Sequence, residues 1–455
     1  MLKKIQRSIF SSLLTLSLLG GTSAVYAHDE LGDVSIEKGQ HDHYEVVQTL
    51  EGSKNFKYLN EVAAVPLKEL KPGVQNTGAD VYAHKGFAYM GTHVANGGEG
   101  GVRVFDLKDP ENPVEVAVFA NDLPGTWQEK VIVKTVNTPH FKGDLAAVSV
   151  QKLSRTSKDS KGGFALYDVT DPYHPKKLGF WALDSQVRGT HELYLTEQGG
   201  RALVLTANPY ADYYTHGETK DFTIVDVSEP SNPETIYEFD PRTVEGVPQD
   251  FNGYHWKDES SEGKIRPVFA HSVITDENGT TAYVSMWDLG TLIFDIRDPE
   301  HPQMLGRTSF ESNVQGSAHS SALAKGGNIL IETREVYDPT KAGYEQSYGY
   351  TRIYDIKDKT DPVLISSFKT ELADDIDDGV TFANTVHDPK VRGNTLYLSH
   401  YAGGVRIVDI TNPGNPVEIG VYVPENSDVW GVFVDRNYIL ASDIGSGLKV
   451  LQKRK

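Results

Sequence analysis

The chain has no cysteine among its 455 residues. That excludes disulfide bonds, and a lipid carried on a processed N-terminal cysteine, so no disulfide cross-link supports the fold. Basic residues are too few to balance the acids: 44 Lys and Arg stand against 63 Asp and Glu, a formal net charge of −19, and no Lys/Arg cluster offsets it. Such a surface repels phosphate backbones and anionic lipid, which excludes nucleic acid as an expected partner. Long apolar runs are missing too. The stretch at residues 9–19 spans 11 positions, well short of the roughly 18 to 20 that a spanning helix needs. No nucleophile elbow, HExxH helix, Walker loop or dinucleotide fingerprint occurs, so no motif points to an enzyme.

What stands at the N-terminus is Lys3, Lys4 and Arg7, then the apolar stretch, then small residues ending in Val25-Tyr26-Ala27. This predicts a secretory signal peptide at 1–27 and no membrane span once it is removed. Loss of its three basic residues takes the formal charge to −22. The expected location is secreted or extracellular, free or loosely retained at the cell wall or in the periplasm. Residues 28–55 are polar and read as a flexible lead-in.

The rest of the chain, 56–455, is organised by a phrase that occurs six times. Its last copy is GGVRIVDITNPGNPVEIG at 403–420, and earlier copies end their apolar run at Asp106, Asp168, Asp226, Asp295 and Asp355, matching Asp409. Each copy reads as strand, turn, strand: an apolar run closed by Asp, then Pro residues that break the ladder, then a second extended run. Lys359 replaces the first Pro in the fifth copy. The aspartates are expected to accept hydrogen bonds from turn N–H groups, a scaffold role repeated on every unit. The copies lie 54 to 69 residues apart, more than the roughly 40 to 45 of a compact propeller blade, so long loops are inserted.

Two further strand-like runs precede each copy, giving four strands, A to D from the axis outward. Six units are complete. A seventh has three strands after residue 428, and its fourth is expected from residues 58–65, which resemble the D strand at 113–118. The predicted fold is all-β: a seven-bladed β-propeller of four-stranded antiparallel blades, closed by an N-terminal strand that completes the last blade. The strand C phrase followed by Asp-x-x-x-Pro-x-x-Pro resembles the LVIVD repeat of secreted and cell-surface propellers, over about residues 56–455. The resemblance implies a propeller and leaves function open.

Residues that vary between blades at one position are better candidates for function. The start of strand A carries Asp80, Asn137, His191, His271, His319, His387 and Trp430, assigned in blades 1, 2 and 6 by counting six positions back from the A–B turn glycine. These seven are expected to ring the mouth of the central channel. His191, His271, His319 and His387 could bind Zn, Fe, Cu, Mn or Ni, a constellation similar to the carotenoid-cleaving oxygenases in that feature alone, or could staple neighbouring blades. Loops on the same face carry Tyr210, Tyr213, Tyr214, Tyr254, Trp256, Tyr337, Tyr344 and Tyr348, which suit ligand recognition or pack the loops onto the blades. The acidic loop at 374–379 reads as a solvated turn, since Ile376 interrupts a calcium-ligand pattern. The expected function is a secreted, monomeric binding module for a cell-surface protein, glycan or small molecule. The alternative is a metal-dependent oxidoreductase or lyase with a multi-histidine centre.

Overall fold

A computed structural model describes residues 59–73, 76–93, 99–258, 263–335, 349–370 and 385–453. The expected signal peptide and lead-in, the loop at 374–379, and Tyr337, Tyr344 and Tyr348 lie outside these residues. The described strands form seven blades, each with strand A innermost and strand D outermost. Blade 1 comprises Gly78–His84, Phe87–Thr92, Val102–Asp106 and Val114–Phe119. Blade 2 comprises Val131–Asn137, Lys142–Lys152, Gly163–Asp168 and Lys176–Ala182, with Thr126–Trp127 added beside the end of its long strand B. Blade 3 is Glu192–Gln198, Arg201–Ala207, Phe222–Asp226 and Glu234–Glu238, and blade 4 is Ser272–Thr275, Thr281–Ser285, Thr291–Asp295 and Gln303–Arg307. Blade 5 is Ala318–Ala324, Ile329–Arg334, Thr351–Asp355 and Val363–Phe368, and blade 6 is Pro389–Arg392, Thr395–Ser399, Val405–Asp409 and Val417–Tyr422.

Blade 7 is split between the two ends of the chain. Val429–Asp435, Tyr438–Asp443 and Gly447–Lys453 supply strands A to C, and Leu59–Val65 pairs antiparallel with the last as strand D. A shared irregularity identifies this strand as a true D strand. In all seven blades the C–D pairing slips by one residue, leaving one D residue unpaired: Val62, Val116, Leu178, Ile236, Leu305, Ile365 and Ile419. All seven are apolar, and all but Ile365 pack against a buried core. Such a bulge bends and twists the outer strand, so it follows its neighbour while the extra side chain folds inward.

Strand C is buried on both faces, which is why its residues are nearly continuous apolar runs. One apolar cluster fills each of the seven gaps between neighbouring blades, including the gap between blades 7 and 1. The ring therefore closes through packing as well as through the strand pairing at Leu59–Val65. The six aligned aspartates cap the C–D turns as expected: each accepts a hydrogen bond from the backbone N–H two residues on, at 2.7 to 3.0 Å. The turn containing Lys359 keeps a second cap, from Thr360 N–H to Asp358, at 2.9 Å.

Candidate functional site

The innermost strands start with two consecutive residues set against one residue of strand B. His319 and Ser320 fall in such an irregularity, as do Ala79 and Asp80. In blade 6, Ser399 carbonyl accepts from His387 N–H while its hydroxyl accepts from Asp388 N–H, and Ser149 holds Lys130 in the same way in blade 2. A bulge of this kind turns both side chains of the pair to one side. At a propeller axis that builds two tiers.

The upper tier contains Glu129, His191, His271, His319, His387 and Trp430, all buried. The rings of His271 and His319 are 3.9 Å apart at their centroids, those of His319 and His387 4.6 Å, and those of His387 and Trp430 4.4 Å. His191 Nδ1 is 2.7 Å from Glu129 Oε2, and Glu129 Oε1 accepts from the Trp430 indole N–H at 3.1 Å. The four histidines converge on the axis, as the sequence suggested, but not at a mouth. None is more than 3% exposed. Trp127, His93 and Trp287 pack around them on the side of the B–C loops. Burial, reinforced by His319, pushes the His387 imidazole well below its ordinary pKa, and burial pushes His93 down to about 3, so both are neutral.

The lower tier contains Asp80, Lys130, Glu192, Ser272, Ser320 and Asp388. Lys130 Nζ lies 2.7 Å from Asp80, 3.0 Å from Glu192 and 3.5 Å from Asp388. Burial opposes the charge on Lys130, but the three carboxylates outweigh it and hold its pKa well above the usual lysine range. Burial likewise opposes ionisation of Asp388, yet Lys130 and Lys390 hold it low, whereas burial and the neighbouring carboxylates push Glu192 up. Glu192, pushed up to about 8, is thus the carboxyl of this group that holds a proton most readily near neutrality.

Below this tier a cavity of about 900 Å³ runs along the A strands to the A–B turns at Asp276, Lys325 and Asn394. Its floor is the lower tier, and its walls include Tyr82, Tyr194, Ile274, Leu323 and Phe433. The channel thus opens on the face of the repeated turns, opposite the one expected. Side-chain size accounts for this: His, Trp and Glu fill the upper tier, while Ser272 and Ser320 in the lower tier are small and line the cavity.

Asn137 is not a member of the ring. It is exposed and ends strand A of blade 2, paired with Lys142 beside the A–B turn. Counting from Gly143 failed because that glycine sits inside strand B, while the turn is formed by residues 138–141. Glu129 and Lys130 occupy the true positions, and the likeness of Glu129-Lys130-Val131-Ile132 to His271-Ser272-Val273-Ile274 is the signal that locates them. Asp80 belongs to the lower tier and Trp430 to the upper.

The described aromatic loop residues mostly pack the scaffold. Tyr210 and Tyr254 are buried with Phe269 and Trp287, and Tyr214 packs on that cluster beneath the Arg155 guanidinium. Trp256 lies against Phe251 and the blade 3–4 core. Only Tyr213, 38% exposed, presents a large surface among them. Asp212 ties these insertions together through Lys220 at 2.7 Å and Arg242 at 2.8 Å.

No described helix is long and apolar enough to cross a membrane. No curated protein matches the chain. Among solved structures it is similar to the Raptor protein of Chaetomium thermophilum, with 13% identity and a TM-score of 0.54, over 90% of this chain and 30% of that one. It also aligns with the computationally designed Ika8 protein, with 12% identity and a TM-score of 0.47, over 86% of this chain and 99% of the design. The chain spans under a third of the Raptor chain, and the likeness concerns fold alone. The LVIVD repeat model matches residues 214–240 and 385–423, which contain strands C and D of blade 3 and all four strands of blade 6. The chain therefore carries LVIVD repeats and folds as a seven-bladed β-propeller.

Proposed function

We propose that this propeller is a secreted binding module that takes a small polyhydroxylated molecule, of sugar size, into the axial cavity from the A–B turn face. One observation carries the reading: a cavity of about 900 Å³ with a hydrogen-bonding floor and aromatic walls. Volumes of this order are typical of small-ligand sites. A sugar has apolar ring faces and a rim of hydroxyls. Tyr194, with Lys134 4.4 Å from its ring, and Tyr82, 4.7 Å from Phe433, offer flat surfaces to the first. Ser272, Ser320 and the ionised Asp388 offer partners to the second. Export through the leader at 1–27 would present the cavity to extracellular glycans, and a monomer suffices because the channel is complete within one ring.

Calorimetric titration with neutral mono- and disaccharides tests this. Saturable binding that Tyr194→Ala weakens at least about tenfold, a loss of about 1.4 kcal/mol, is expected. Absence of binding across that panel would reject the carbohydrate reading. The metalloenzyme reading of the sequence concerns a different place, since no upper-tier histidine lines this cavity.

A further inference from the structure

In the upper tier, donor atoms of His271, His319 and Glu335 all lie within 4.8 Å of one another, and all three residues are buried. His319 Nε2 is 3.3 Å from Glu335 Oε2. Two ligands held about 2.0 to 2.2 Å from one ion, at right-angle or tetrahedral geometry, stand roughly 3 to 3.5 Å apart.

The protonation pattern gives this geometry chemical meaning. His319 Nδ1 is 2.9 Å from the backbone carbonyl of His387, which can only accept, and 2.8 Å from the Ser320 hydroxyl, which can accept as well as donate, so a proton on Nδ1 satisfies both contacts and leaves the lone pair on Nε2. That lone pair faces a carboxylate oxygen. Two acceptors this close attract each other only through a positive charge held between them. The other oxygen of Glu335 accepts from the Tyr401 hydroxyl, which turns Oε2 toward His319. Tyr401 holds φ at 40°, a conformation that a bulky residue adopts only when its surroundings impose it. Hydrogen bonds that fix a ligand's tautomer and aim its carboxylate are the usual outer support of a metal site.

His191 stands beside the group. Its Nδ1 faces Gln151 Oε1 at 3.0 Å as well as Glu129, which leaves Nε2 as its acceptor, 3.1 Å from Nε2 of His271. This places a fourth protein donor next to the three.

We propose that His271, His319 and Glu335 bind one divalent transition-metal ion at the propeller axis, with His191 as the adjoining donor and Tyr401 as the positioning residue. Two imidazoles and a carboxylate favour an ion of the zinc class over magnesium or calcium. The ligands come from blades 4 and 5, with His191 from blade 3, so the ion cross-links neighbouring blades where the ring is narrowest. The burial of all three ligands implies loading during folding, and bound metal then adds to folding stability. This inference is independent of the cavity below: loss of metal would leave the saccharide titration interpretable, and the reverse.

The test is metal analysis of the full chain, refolded with Zn²⁺ or Co²⁺ and dialysed. About one ion per chain is expected, with visible Co²⁺ absorption of a mixed nitrogen and oxygen site and a higher melting temperature than the metal-free chain. Glu335→Gln should lose the ion while keeping the far-ultraviolet circular dichroism of the propeller. Should that variant misfold, the Co²⁺ spectrum and metal-dependent melting of the unaltered chain still decide. Less than about one ion in ten chains with either metal, and melting indifferent to it, would overturn the proposal. A proton shared by His319 and Glu335 predicts that second outcome.

Discussion

The ammonium of Lys130 lies 2.7 Å from the carboxylate of Asp80, joining blades 1 and 2 at the axis and anchoring the cavity floor. Both groups are buried, so their pairing offsets the loss of hydration each has undergone. Lys130→Met removes the cation and strands Asp80 beside Asp388 and Glu192. Breaking a buried charge network in this way costs about 3 to 5 kcal/mol. Urea unfolding should show a loss of that order, and adding Asp80→Asn should restore part of it.

Stability should fall as pH rises from about 4 to 8. Burial pushes Asp221 and Asp428 each up to about 8, so the folded chain retains protons that the unfolded chain has already released. The unfolded state therefore binds fewer protons, and unfolding free energy declines as pH rises through that window. His93 acts in the opposite sense: with its pKa near 3, the folded chain resists a proton that the unfolded chain takes up below about 6.5. Below about pH 6.5 this one histidine offsets only one of the two carboxyls, so stability still declines with rising pH there, less steeply than above 6.5. Urea midpoints across pH 4 to 9 should fall as pH rises, most steeply between about 6.5 and 8, and midpoints that rise over that interval would contradict the assignments.

Closure depends on Leu59, which is fully buried in the cluster between blades 6 and 7. Leu59→Ala should cost about 2 to 5 kcal/mol, read as a lowered unfolding midpoint. An effect below about 0.5 kcal/mol, the usual range for a surface substitution, would mean that the terminal strand does not seal the ring.

Asp409→Ala should lower the urea midpoint only slightly, since it removes one exposed turn cap whose acceptor water can replace. Saccharide binding should be unchanged, because Asp409 does not line the cavity.

Much of this architecture is legible in the sequence because it repeats. The Asp-capped turns fix six blades, and the three orphan strands after residue 428 require a partner that only the region near Leu59 resembles. The D-strand bulges are visible as an apolar residue at one fixed place, yet their meaning emerges only from the slipped pairing at Val62 and its counterparts. The histidines announce themselves by recurrence. Glu129, Lys130 and Glu335 do not, because blade 2 has no glycine in its A–B turn and Glu335 reaches the axis from the end of strand B. Which end of the channel opens depends on side-chain volumes summed over seven blades, a quantity no single repeat displays.

The absence of cysteine allows a direct test of where the ligand sits. Leu323→Cys places one thiol on the half-buried cavity wall, and Tyr213→Cys places one on the exposed opposite face. A small thiol reagent should label both, and a bound saccharide should protect position 323 while leaving position 213 reactive. Protection at 213 with none at 323 would contradict an axial site that opens on the A–B turn face.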